Sequence, residues 1–193
     1  EALAAAVQAA LATGLVAALR LDRPGAEEAE VRRLADLLRP LCHAADVPLL
    51  IADHYRLVRP LGLDGAEVRV PGARLREVRE EIGRDQILGA ACGASRHDGL
   101  SAAEAGADYV LFRPLRAAPG LGDGALVEPD LFFWWAEMIE TPVVAEGGLT
   151  LEDAAGLGPH ADFVMPDPQV WAADPSALSA WDAALRAGPP HEH

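Results

Sequence analysis

Short apolar segments recur seven times along this chain, and each ends in charged residues, cysteine or glycine. In the stretch PLLIADHYRL, residues 48–57, four apolar residues lead directly into Asp53 and His54. An apolar run of this length without polar alternation is typical of a strand buried on both faces. The segments span residues 14–22, 48–57, 64–70, 86–93, 108–115, 141–148 and 161–167. We therefore predict seven strands.

The stretches between these segments carry apolar residues at three- and four-residue spacing, which is the period of an α-helix. Val31, Leu34 and Leu38, for example, fall on one helical face. The predicted helices span residues 1–12, 26–44, 73–83, 101–107, 130–140, 150–158 and 174–188. Caps are predicted at Gly83 for a helix end and, for helix starts, at Ser101, at Thr150 with Asp153, and at Asp174 or Ser176.

Strands that alternate with helices form a parallel sheet covered by helices. The elements predict a (β/α)8 TIM barrel, in which one strand upstream of Glu1 brings the number of strands to eight. The sequence has no initiator methionine, so we expect residues upstream of Glu1. A doubly wound sheet is the alternative, but the glycine-rich turn that usually follows its first strand is not visible in the sequence. We expect one barrel domain over residues 1–188 and a flexible tail over 189–193.

Polar side chains at the carboxyl ends of the strands are the candidate site, because these ends line the active-site mouth of such a barrel. The ring comprises Arg20, Asp22, Asp53, Glu67, Arg69, Cys92, Arg113, Glu146 and Asp167. For the ring as a whole, a pocket for a small-molecule ligand is the favoured interpretation. Structural ion pairs across the top of the barrel are the alternative for individual members.

Composition excludes several classes of function. The formal net charge of −14 argues against nucleic-acid and membrane partners. No apolar run approaches the roughly 20 residues that span a bilayer. All 16 basic residues are arginine, and without lysine there is no Schiff-base aldolase, pyridoxal anchor or P-loop lysine. The two cysteines, Cys42 and Cys92, form no spaced framework, so we expect reduced thiols and a cytoplasmic location.

Four segments carry a family resemblance across roughly residues 15–170. They are VPLLIADHYRLVRPLGLDGAEV, GRDQILGAACG, EAGADYVLFRPL and TPVVAEGGL. In this order they resemble thiamine-phosphate synthase and its TenI-like relatives. The resemblance implies a magnesium-dependent transferase that joins a pyrimidine diphosphate to a thiazole phosphate. It also implies Asp53 as a metal ligand, Arg20 as a catalytic residue, and Gly147 with Gly148 as the phosphate-binding segment.

The match to the family pattern is incomplete. The departures are Ala18 for a glutamine, Asp22 for the lysine, Ala52 for an asparagine, Glu67 for a histidine, Gly72 near the second metal-binding aspartate, and Ala91 and Gly93 for a serine and a histidine. The threonine–lysine stretch has no counterpart, and Pro166 and Pro168 remove backbone donors near the last strand. Asp22, Glu146 and Asp167 add negative charge where the family binds two anions. Arg113, in place of a glycine, is expected to fill the substrate space or pair with Glu146.

These departures favour a degenerate relative that is linked to thiamine metabolism but cannot run the family's coupling reaction. An active synthase is one alternative. A barrel enzyme with another substrate, using Asp53, Glu67 and Glu146 as acid, base or metal ligands, is the other. The expected ligand is a small molecule, either phosphorylated or not, and magnesium is the candidate cofactor. The aromatic run LFFWW, residues 131–135, predicts either burial under the 116–128 loop or a homo-oligomer surface.

Overall fold

The computed structural model describes residues 2–70, 74–116 and 125–187. The strands are β1 Leu19–Leu21, β2 Leu49–Ala52, β3 Gly65–Arg69, β4 Ile87–Ala91, β5 Tyr109–Phe112, β6 Val143–Glu146 and β7 Phe163–Met165. All seven predicted strands are confirmed. They pair in parallel in the order of the sequence, and the resulting sheet is curled. This confirms the TIM-barrel class, since a doubly wound sheet reverses its strand order. The expected strand upstream of Glu1 lies outside the sequence and stays a prediction.

Helices connect successive strands. They are α1 Ala2–Leu11, α2 Glu28–Ala44, α3 Val58–Leu61, α4 Leu75–Ile82, α5 Arg96–Glu104, α6 Asp130–Met138, α7 Leu151–Leu157, α8 Pro168–Trp171 and α9 Ala177–Ala187. Short 3-10 turns cover Tyr55–Leu57 and Gly158–His160. The two four-residue helices, α3 and α8, were not predicted, because so short a turn leaves no apolar period to detect. None of the helices in the three described ranges is long and apolar enough to cross a membrane. The tail predicted over 189–193 lies outside these ranges.

The helix caps follow the sequence at most positions. Gly83 ends α4, and Thr150 forms the predicted capping box with Asp153 at the start of α7. The cap predicted at Ser101 is wrong, because α5 begins five residues earlier at Arg96, where the Ser95 side chain accepts the backbone N–H of Asp98. Polar residues fill this first turn, so the apolar period does not reveal it.

Alternation along the strands separates two surfaces of the sheet. One set of side chains packs against the helices in the main hydrophobic core; it includes Leu49, Ile51, Leu88, Val110, Phe112 and Val143. The alternate set faces the inside of the curled sheet, where Ala91, Leu111 and Val144 form a small second cluster with Tyr109 and Met165. The candidate site continues this inner surface toward the carboxyl ends of the strands.

The aromatic run in α6 divides between core and surface. Phe132 and Trp135 are buried, and the Trp135 indole donates to the carbonyl of Thr141 at 2.8 Å. Phe133 and Trp134 are half-buried, and Trp134 packs under the Arg96 guanidinium at 4.7 Å. Trp135 is therefore not available to an oligomer surface. The 116–128 loop falls largely outside the described residues, so burial under it stays a prediction.

Candidate functional site: a buried ion-pair network

Five polar side chains from four strands or their ends meet on the inner surface of the sheet. They are Arg20 of β1, Glu67 of β3, Tyr109 of β5, Arg113 just after β5, and Glu146 of β6. In each strand these residues alternate with side chains of the main core, so their positions follow from the period of two. We refer to these five residues as the inner network.

Arg20 lies at the centre of the inner network. Its Nη1 donates to Glu67 Oε1 at 2.7 Å and to Glu146 Oε2 at 3.2 Å, and its Nη2 pairs with Glu146 Oε1. Only 8% of the Arg20 side chain is exposed. Burial lowers the pKa of Arg20, but Glu67 and Glu146 outweigh it and raise the pKa above its ordinary value. Arg20 is therefore a permanent cation that two buried carboxylates enclose.

Glu67 is held from two sides. Its second oxygen, Oε2, accepts the hydroxyl of Tyr109 at 2.8 Å. Burial raises the pKa of Glu67, against the opposing effect of Arg20, and burial together with Glu67 raises that of Tyr109 well above its usual range. Gly89 lies between the two in the sheet register, and its missing side chain leaves the space that the Tyr109 ring occupies.

Glu146 joins the second arginine to the inner network. Arg113 Nη1 donates to Glu146 Oε2 at 2.9 Å, which confirms the expected pairing of these two residues. Two guanidinium groups therefore face two carboxylates, and with both pairs ionised the network is neutral. One donor has no partner, because Arg20 Nε is buried without a hydrogen bond. Glu146 thus does not add the free negative charge that the sequence suggested.

An exposed ion pair lies at the rim. Asp53 follows β2 with a left-handed backbone, φ 59°, and its carboxylate meets Arg69 at the end of β3. Arg69 Nε and Nη2 lie 2.8 and 2.6 Å from Asp53 Oδ2, and the Arg69 backbone N–H donates to Oδ1 at 3.3 Å. Asp22 lies 3.4 Å from Arg20 Nη2 and also raises the pKa of Arg69, so it belongs to the same rim.

The segment that resembles a phosphate cradle is covered by the chain. The backbone N–H groups of Leu115 and Arg116 both donate to the carbonyl of Gly147 at 3.1 Å. A Cβ on Gly148 would lie 2.9 Å from the Cβ of Arg116. The Arg116 guanidinium then pairs with both oxygens of Asp153, at 2.8 Å each. Leu115 and Arg116, which follow β5, therefore pack against Gly147 and Gly148.

Two members of the predicted ring do not join the others. Cys92 packs in the helix-facing core, donates its thiol to the Ala90 carbonyl at 3.3 Å, and has a pKa raised to about 12 mainly by burial. Placing Cys92 at the mouth was wrong, because Ala91 and not Cys92 has the inward parity. Asp167 precedes α8 and makes no ion pair with any residue in the described ranges. Tyr109, which was not predicted from the sequence, faces the same inner surface of the sheet as Arg113, because the two are separated by an even number of residues.

Magnesium does not fit the carboxylates as they are arranged. Across residues 2–70, 74–116 and 125–187, no three histidine, cysteine, aspartate or glutamate residues form a group that could hold a metal ion. Both oxygens of Asp53 already accept hydrogen bonds from Arg69. Gly72, which falls near the family's second metal-binding aspartate, lies outside the described residues.

Two open cavities lie at the opposite end of the sheet, where the strands begin. The first, about 450 Å³, is lined by Arg59, Arg76, Arg79 and Arg84 among others. The second, about 380 Å³, is lined by residues that precede β2, β3 and β4 and by the first residue of β4. Neither cavity contains a residue of the inner network.

Comparison with known proteins connects this arrangement to one family. The model of the thiamine monophosphate synthase family matches residues 1–163. The thiamine-phosphate synthase of Rhodospirillum centenum is 37% identical over 172 residues, which cover 89% of this chain and 83% of the relative. That of Erythrobacter litoralis is 35% identical over 167 residues, covering 85% and 78%.

Solved structures show the same fold. Thiamine phosphate pyrophosphorylase from Pyrococcus furiosus superposes with a TM-score of 0.82 at 21% identity, covering 94% of this chain and 88% of that one. Orotidine 5'-phosphate decarboxylase from Pyrococcus horikoshii gives a TM-score of 0.67 at 14% identity, covering 96% and 95%.

Proposed function

We propose, from the premise that this chain belongs to the thiamine monophosphate synthase family, that it binds a small thiamine-related molecule without joining the family's two substrates. The inner network is the observation that supports this proposal. Arg20 and Arg113 are the two guanidinium groups nearest the barrel interior, and both are already neutralised by buried carboxylates. They are therefore not free to neutralise a diphosphate.

The coupling chemistry makes this a severe obstacle. A diphosphate leaving group needs fixed cationic donors at the oxygens where charge develops. Here a phosphate must displace Glu67 or Glu146 from Arg20. The displaced carboxylate would remain buried without Arg20, keeping only the Tyr109 hydroxyl in the case of Glu67 or Arg113 in the case of Glu146, and this loss opposes phosphate binding. The lysine of the family pattern is absent, and Leu115 and Arg116 pack against the Gly147–Gly148 segment.

The proposal also covers the cellular location of the protein and its use of magnesium. Cys42 and Cys92 are both unpaired, which suits the cytoplasm that we propose for this protein. Magnesium binding, expected from the family resemblance, is not part of the proposal, because the carboxylates that would hold the ion are engaged by arginine. The ligand is a small molecule that enters from the rim formed by Asp22, Asp53 and Arg69.

An active synthase remains the second candidate, and the 35–37% identity to relatives named thiamine-phosphate synthase favours it. One assay separates the two. The purified chain is incubated with the pyrimidine diphosphate, the thiazole phosphate and magnesium, and thiamine phosphate is quantified. The Rhodospirillum centenum relative serves as the positive control. We expect no product above a reaction without protein, and product formation at a rate comparable to the control would refute the proposal.

A further inference from the structure

The ion pair at the rim has the geometry of a replaced metal site. Asp53 is the carboxylate that the family resemblance implies as a magnesium ligand, and Arg69 places two N–H groups on its Oδ2. Magnesium requires oxygen lone pairs in near-octahedral geometry and holds its remaining waters tightly. Oδ2 already accepts two N–H groups, and Oδ1 faces the Arg69 backbone N–H. The carboxylate is therefore oriented toward a guanidinium.

We propose that Arg69 takes the place of the divalent cation at Asp53, so that an anionic group entering the mouth meets a guanidinium and binds without magnesium. This inference deepens the proposed function and rests on it for the view that the mouth binds a ligand without catalysis. The side chain of Arg69 is 62% exposed and that of Asp53 38%. The pair is thus open to a ligand, in contrast to the enclosed Arg20.

The donor inventory of Arg69 supports an anion on its free edge. A guanidinium has five N–H donors in a fixed plane. Nε and one N–H of Nη2 face Asp53, and Nη1 has no partner in the described part of the chain. An arginine side chain stays charged at every physiological pH. The free edge can accordingly bind one phosphate oxygen pair, as arginine commonly does.

Backbone geometry keeps this pair in place. The Asp53 N–H donates to the Glu67 carbonyl at 2.8 Å, and the His54 N–H donates to the Ala52 carbonyl at 2.7 Å. These two bonds fix the left-handed turn that points the carboxylate across to β3. In a regular strand Asp53 would share the outward parity of Ile51, so the turn is what brings it to Arg69. Asparagine tolerates this conformation, which makes Asp53→Asn a suitable variant.

Cation binding tests the first half of the proposal. Manganese is titrated as a paramagnetic probe for the magnesium site, and water proton relaxation is measured for wild type, D53N, R69Q and the double variant R69Q/D53N. R74Q is the matched control, because Arg74 forms an exposed ion pair with Glu77 on α4 and its loss changes the net charge equally. We expect wild type, D53N and R74Q to bind alike. R69Q should bind at least about fivefold more tightly, and the double variant should lose this gain.

Two results would overturn the claim that Arg69 replaces the cation at Asp53: a saturable manganese site in the wild type that D53N removes, or an R69Q variant that binds manganese no better than R74Q.

Anion binding tests the second half of the proposal, using calorimetry with pyrophosphate. The wild-type Kd should agree within about twofold in magnesium and in EDTA, and R69Q should weaken it at least about fivefold. Binding that magnesium tightens tenfold or more, or no binding at all, would contradict the proposal. Circular dichroism confirms that each variant is folded.

These outcomes are separate from the coupling assay. Thiamine phosphate formation would refute the proposed function. The manganese and pyrophosphate titrations would still decide whether Arg69 replaces the cation at Asp53. Conversely, a wild-type manganese site at Asp53 would refute the inference even if no product forms.

Discussion

Arg20 is the cation shared by two buried carboxylates, and its removal is expected to lower the free energy of unfolding. In Arg20→Ala, Glu67 and Glu146 remain buried without their common cation, so we expect a loss of about 3–5 kcal/mol in the free energy of unfolding. Arg23→Ala is the control, because Arg23 pairs with Glu30 at the surface and its loss should change stability by about 1 kcal/mol or less. Urea unfolding measures both, and equal losses would contradict the buried network.

The raised pKa of Glu67 predicts a pH dependence. Glu67 in the folded protein binds its proton more tightly than in the unfolded chain, where the ordinary value is 4.5. The folded state therefore holds more protons in the window above 4.5, and this contribution to stability is lost as pH rises through the folded pKa. Glu67→Gln has no such group. We expect the stability of wild type relative to Glu67→Gln to fall as the pH rises from 4.5; urea unfolding along a pH series checks the sign.

Gly89 provides the space in which Tyr109 reaches Glu67. A methyl group built on Gly89 overlaps the Tyr109 ring, so Gly89→Ala must displace the ring and break its hydrogen bond to Glu67. We expect a loss of about 1–3 kcal/mol. Gly156→Ala is the matched control, since Gly156 lies within α7 with nothing within 4 Å of the added methyl. Thermal unfolding should show a gain of up to about 1 kcal/mol there.

For individual residues, the sequence identifies which polar side chains lie at strand ends, but not how these side chains pair. The period of two would have grouped Arg20, Glu67, Tyr109 and Glu146 on the inner surface and sent Cys92 to the outer one. What parity cannot give is the distance between side chains on different strands, because that depends on strand stagger. The sequence therefore left open whether Glu146 is a free charge or a partner of Arg113, and in the fold it pairs with both Arg20 and Arg113.

Helix α6 carries two adjacent tryptophans with different degrees of burial. Trp135 is fully buried against Phe112 and donates its indole N–H, whereas Trp134 is half-buried beneath Arg96. Trp135→Ala should cost about 3–5 kcal/mol, through the cavity it leaves. Trp134→Ala should cost about 1 kcal/mol, the size of an exposed cation–π contact. Urea unfolding of the two variants compares them, and a larger loss for Trp134 would contradict this division.

The elements themselves were predictable where their apolar period is long. Helix α2 and all seven strands fall where the periodicity placed them. The first turn of α5 was missed because its residues are polar, and α3 was missed because it is a single turn that contains Pro60. Aspartate adopts the left-handed conformation of Asp53 more often than most residues do, but it is far more common in other conformations, so the sequence alone does not reveal this turn.

The burial of both cysteines in the hydrophobic core predicts that their thiols react slowly in the native protein. Cys42 and Cys92 are both buried, and burial raises their pKa values to about 11 and about 12. A thiol reagent at a pH of about 8 therefore meets neither thiolate nor an accessible sulfur. We expect labelling to be slower than in the urea-unfolded chain by a factor of about 100 or more. Mass spectrometry counts the labels, and rapid labelling of the native protein would contradict the packing.

The fold as a whole followed from strand–helix alternation, while the chemistry of the mouth did not. Strand order in a parallel barrel is the order of the sequence, so counting elements is enough to obtain it. The character of the mouth depends on which charges neutralise one another and on how Leu115 and Arg116 pack against Gly147 and Gly148. These are properties of the assembled sheet, and no single segment encodes them.

The inner network also constrains which substitutions the fold tolerates. Exchanging Arg20 alone leaves Glu67 and Glu146 buried without the cation they share, and exchanging Glu146 alone leaves Arg113 without its carboxylate, so each of these changes lowers the stability of the fold. An open, cationic pocket at these positions therefore requires coordinated substitutions, because a single one costs a large share of the free energy of unfolding of a marginally stable protein.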